Sequence, residues 1–102
     1  MNNPQKSKRR PTLPTPKEVW VGSYGLREHD PETTIVARSV DEWVRLVDEF
    51  IKSFIADKAT YEEIAVYGPF PEATETIRKQ LTPWQVVEFE QFLRGEQDYF
   101  AY

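Results

Sequence analysis

Between Ser39 and Lys58, the apolar residues Val40, Trp43, Val44, Val47, Phe50, Ile51, Phe54 and Ile55 recur at spacings of three and four. That period describes one side of an α-helix, not a strand. A stripe this long must be covered, and in a chain of 102 residues the economical cover is a small sheet. Ser39 followed three residues later by Glu42 reads as a capping box, so the helix is predicted to start there and to end near Asp57 or Lys58.

The segments around this helix supply the sheet. Val19, Trp20 and Val21 form an unbroken run of β-formers, which predicts a central strand over Glu18 to Tyr24. Gly22 and Gly25 mark either a bulge in it or its end. Thr33 to Arg38 is more polar and reads as an edge strand, joined to the first by a long hairpin. Tyr61 to Tyr67 reads as a third strand, stopped by Gly68-Pro69-Phe70-Pro71. A helix is expected from Pro71 to about Leu81. Thr82, Pro83 and Gln85 form a second capping box for a last helix that reaches about Arg94, with Gly95 as its stop. The expected fold is therefore α+β, in the order β-β-α-β-α-α. Its three-stranded, mostly antiparallel sheet has order 2-1-3 and packs against helices. The strand–Gly-Pro-Phe–helix pattern at Val66 to Ala73 resembles an element of the peptidoglycan-binding SPOR domains. The order of elements is similar to that in the modules of DNA-mimicking antirestriction proteins. Neither resemblance assigns a role to any residue.

Charge divides the chain. Residues 1–16 hold four of the 13 basic residues (Lys6, Lys8, Arg9 and Arg10) and none of the 17 acidic ones, which leaves a balance of −8 on residues 17–102. Pro4, Pro11, Pro14 and Pro16 oppose helix and sheet in that leader, which reads as a disordered basic arm. Residues 17–95 read as the single α+β domain. Residues 96–102 read as an acidic-aromatic tail ending in Tyr99, Phe100 and Tyr102. These aromatics either fold back over the sheet or last helix, or present a short peptide to a partner's groove.

Catalytic and metal-binding patterns are missing from the sequence. There is no Cys, which excludes disulfides and thiolate metal sites. His29 is the only histidine and is flanked by Glu28 and Asp30 in a loop, the setting of a solvated side chain. The carboxylate pairs Asp41/Glu42, Asp48/Glu49 and Glu62/Glu63 invite a glycosidase-like comparison. However, Asp41, Asp48, Glu75 and Glu90 each have a basic residue four positions on, which favours surface pairing. Gly22 and Gly25 open no phosphate-binding loop. No cofactor, metal or small-molecule substrate is expected, and the chain is not expected to be an enzyme.

No apolar run approaches the roughly 20 residues of a membrane span, and no secretory signal is evident, so a cytoplasmic, membrane-free protein is expected. The remaining reading is a non-catalytic protein-binding module. It would act as a small adaptor, or as an inhibitor of the kind phages and mobile elements carry. Tyr99, Phe100, Tyr102 and Trp84 are its candidate partner contacts. Trp84, in the first turn of the last helix, is expected to be the most exposed of the three tryptophans. The alternative is a nucleic-acid-associated accessory protein that contacts RNA or DNA, or an acidic surface, through Lys6, Lys8, Arg9 and Arg10.

Overall fold

The computed structural model describes residues 15–31, 33–58 and 60–102. The basic arm, with Lys6, Lys8, Arg9 and Arg10, lies outside them. The elements in chain order are β1 (Glu18–Leu26), β2 (Thr33–Ala37), α1 (Val40–Lys58), a 3₁₀ turn (Tyr61–Glu63), β3 (Ile64–Ala73), α2 (Thr74–Gln80), α3 (Pro83–Leu93) and β4 (Phe100–Ala101). The fold is α+β, and its sheet is antiparallel throughout.

The sheet has four strands in the order β3-β1-β2-β4, not three. The expected 2-1-3 arrangement is present within it, with β1 central. The correction comes from the C-terminal segment. Phe100 and Ala101 pair with Val36 and Ile35, and Tyr102 exchanges both backbone hydrogen bonds with Thr34 at 2.8 and 2.9 Å. β2 is therefore an internal strand, which accounts for the complete burial of Ile35, Val36 and Ala37.

Both faces of the sheet are packed, and alternation along the strands sorts their residues. Tyr24, Ile35 and Ala37 meet Trp43, Leu46, Val47, Ile51 and Phe54 of α1. Val19 and Val36 meet Ile77 of α2 and Phe89, Phe92 and Leu93 of α3, together with Phe100. The α1 stripe is narrower than its sequence pattern: Val40 and Val44 face solvent, and Leu46 takes a core place. Trp43 anchors this layer. Its indole Nε1 donates to the Ile35 carbonyl at 3.0 Å, and its ring occupies the space above Gly22 that a side chain there would fill.

β3 runs through Gly68-Pro69-Phe70-Pro71 instead of stopping there. Tyr67 pairs with Ser23 and Phe70 with Val21, so two residues, Gly68 and Pro69, stand opposite Gly22 alone. This is a β-bulge. Gly68 has φ 115°, and the Gly68–Pro69 peptide is cis. Proline is tolerated because β3 is an edge strand, with one side free of pairing among the described residues. The helix that follows therefore begins at Thr74, not Pro71. Thr74 ties that corner to the chain entering β1: its amide donates to the Lys17 carbonyl at 2.9 Å and its hydroxyl to the Pro16 carbonyl at 2.7 Å.

Arg38, just past β2, holds α3 in place. Its Nη2 donates to the Phe92 carbonyl at 3.0 Å and also to the Leu93 carbonyl, and its guanidinium lies 5.4 Å from the centre of the Phe92 ring. A cation here also meets the negative end of the helix dipole. Arg38→Ala is expected to cost about 1.5–3 kcal/mol in a urea-unfolding experiment, the range for hydrogen bonds to a charged group. Arg38→Lys should recover only part of the loss, because an ammonium cannot stack on Phe92 as a planar guanidinium does.

Candidate partner-binding surface

α3 is fixed at both ends. At its start, the Thr82 hydroxyl accepts the Gln85 amide at 3.3 Å and the Gln85 side chain accepts the Thr82 amide at 3.0 Å, completing the expected capping box. At its end, Gly95 donates to Phe92 at 3.0 Å and Glu96 to Gln91 at 2.9 Å, with Gly95 at φ 84°. This is a Schellman stop. Between the caps, Phe89, Phe92 and Leu93 face the sheet. Trp84 and Val87, three residues apart on the opposite side, are 80% and 56% exposed. As expected, Trp84 is the most exposed tryptophan: Trp43 is buried and Trp20 is half-buried.

The tail aromatics are distributed through the fold. Phe100 is 2% exposed, between Phe89 at 5.3 Å and Tyr102 at 5.2 Å between ring centres. In this position it is a core residue and offers a partner no anchor. Tyr99 turns to the other face and meets Phe50 edge-on at 5.5 Å. There it walls an open apolar groove of about 450 Å³ shared with Tyr24, Leu46 and Phe54. Tyr102 remains half-exposed, and burial first, then the Glu72 carboxylate, pushes its phenol above the usual range. The four candidate contacts thus do not form one patch: Trp84 stands on α3 with Val87, and the others flank or fill the two cores.

His29 lies in the β1–β2 loop on the rim of a cavity of about 670 Å³, with Arg27, Glu28, Glu62, Glu63 and Tyr67. Arg27 closes the loop onto the 3₁₀ turn by donating Nε to the Glu62 carbonyl at 2.8 Å. Glu28 adopts φ 66°, which turns the chain at the hairpin tip. Among the described residues, no group of three or more His, Asp or Glu is placed to hold a metal ion. The surface carboxylates have partners that differ from the expected ones. Asp48 pairs with Lys52 at 3.0 Å as expected, but Arg45 meets Glu49 at 3.9 Å instead of Asp41. Arg78 bridges Glu75 and Glu90, leaving Arg94 to Glu96 at 2.6 Å. Hydrogen bonds to these carboxylates raise the pKa of Lys52, Arg78 and Arg94.

Val87, which the sequence places with Val86, Phe89, Phe92 and Leu93 on the apolar side of the last helix, is exposed instead, and so are Tyr67 and Phe70, which the sequence reading did not single out. The spacing of Val87 from Trp84 carried the first signal. The other two depend on the bulge. Among the described residues, no helix is long and apolar enough to cross a membrane. Comparisons with protein-family models, curated proteins and solved structures return no match to this chain.

Proposed function

We propose that this chain is a non-catalytic protein-binding module, a small adaptor or inhibitor, whose principal contact is the outer side of α3. The observation that carries this reading is Trp84, 80% exposed on a helix capped at both ends. An indole held in water by a rigid element can bury a large area on a partner with little further ordering, and tryptophan is enriched among the residues that dominate interfaces. Val87 extends the apolar contact, and the polar residues Glu88 and Gln91 around it supply a rim.

Trp84→Ala tests it. Because Trp84 supports neither core cluster, the substitution should change unfolding stability by no more than about 0.5 kcal/mol. Binding to the protein captured by the unmodified chain should fall by tenfold or more. Undiminished binding by the folded variant would remove α3 from the interface.

The charge layout supports a second reading, in which Lys6, Lys8, Arg9 and Arg10 contact RNA or DNA while the domain of balance −8 stays away from phosphate. Such binding should weaken steeply with salt, whereas binding through Trp84 should not.

A further inference from the structure

Among the described residues, the sheet face that carries α2 and α3 is not covered to its end. Two rows of side chains cross it, set by strand register: Phe70, Val21, Val36 and Phe100 in one, and Tyr67, Ser23, Thr34 and Tyr102 in the next. Val36 and Phe100 lie under α3. At the β3 side the rows emerge, with Phe70 61% and Tyr67 46% exposed. In an unbroken strand, residues three apart point to opposite faces. The bulge at Gly68 and Pro69 cancels that alternation and sets both rings on the same face. They form a ledge whose floor is the half-buried Val21.

Carboxylates stand at both ends of this ledge. Glu28, Glu62 and Glu63 share the cavity that Tyr67 lines, against Arg27 as the cation there. Glu72, two residues past Phe70 and paired with Val19, is on the same face at the other end. None of Glu28, Glu62 and Glu72 forms an ion pair among the described residues. A nucleic-acid strand could stack on the rings, but its phosphates would meet these carboxylates. A neutral apolar partner would strip water from the carboxylates without replacing it. A cationic, extended chain meets both demands. Proline rings pack on aromatic faces, and the polyproline conformation is pre-ordered and needs no strand pairing. Lysine or arginine flanking the prolines would reach the carboxylates.

We propose that Tyr67 and Phe70 form a docking ledge for a proline-rich, Lys/Arg-flanked extended segment of a partner protein, with Glu62, Glu63 and Glu72 reading its positive charge. The ledge is built on β3 and Trp84 stands on α3, so the two surfaces share no residue. Residues 8–14 of this chain, Lys-Arg-Arg-Pro-Thr-Leu-Pro, carry the same chemistry, so self-binding is the competing occupant.

The test is a titration of the full-length chain with a synthetic peptide, Arg-Arg-Pro-Ala-Leu-Pro-Ala-Pro, followed by NMR. The expected result is saturable shifts centred on Tyr67 and Phe70, weakening with salt and absent for the peptide with Glu in place of Arg. Affinity should fall at least tenfold in Tyr67→Ser/Phe70→Ser and be unchanged in Trp84→Ala. If the double variant does not fold, Glu62→Gln/Glu63→Gln, which spares the rings, should still weaken binding. No shift at the ledge overturns the proposal. So does a response that appears only after Lys8, Arg9 and Arg10 are changed to Gln, which assigns the ledge to the chain's own arm. Tighter binding of a single-stranded oligonucleotide at the same residues overturns it as well.

Discussion

Phe100→Ala is expected to destabilise the domain by about 3–5 kcal/mol, the range for removing a buried phenylalanine. The ring is 2% exposed and packs against Phe89 on α3 and Tyr102 beside it. Its loss would open a cavity between helix and sheet. It would also weaken the attachment of β4, a strand of two residues, to β2. Hydrogen exchange should therefore accelerate at the Thr34 and Tyr102 amides, each of which donates to the other residue's carbonyl across that edge. Tyr102→Ala, at a half-exposed site, should cost far less. If Phe100→Ala unfolds at the same urea concentration as the unmodified chain, the C-terminal segment is not a strand of the sheet.

Gly22→Ala should also be damaging, at about 3 kcal/mol, the upper end of the usual range for overpacking, although it adds one methyl group. A Cβ at this position would lie 2.2 Å from Cζ2 of Trp43 and 2.5 Å from the Tyr67 carbonyl oxygen. The indole cannot retreat easily, because its Nε1 is bonded to Ile35 and its ring is buried. The carbonyl belongs to the bulged backbone of β3. Both neighbours are fixed, so the strain must be taken up by moving β3 or α1. Thermal or urea unfolding measures the loss. A variant as stable as the parent would show that Trp43 does not lie over Gly22.

The parts of the fold legible in the sequence were those with local causes. α1 follows from apolar period and from Ser39, whose hydroxyl accepts the Glu42 amide at 3.2 Å. α3 follows from Thr82, Pro83, Gln85 and Gly95, and β1 is central because Val19 to Val21 are apolar on both faces. The missed features are non-local. A two-residue strand such as Phe100–Ala101 has no period to detect, and it exists because β2 offers an unpaired edge. The Gly-Pro-Phe-Pro run carries turn residues, yet a bulge on an edge strand absorbs them. The same limit applies to the surfaces. Trp84 could be picked out from its place in the first turn of a capped helix. Tyr67 and Phe70 could not, because their shared face depends on where the bulge falls.

The most direct test of the protein-binding account is affinity capture from the host's lysate at low and moderate salt. Three forms would be used: the unmodified chain, Trp84→Ala, and a chain with Lys6, Lys8, Arg9 and Arg10 all changed to Gln. The expected result is one protein retained by the first and third forms at both salts and lost from Trp84→Ala. Recovery of nucleic acid or ribosomal material instead, only at low salt and only with the four basic residues intact, would contradict it and make the arm the functional element.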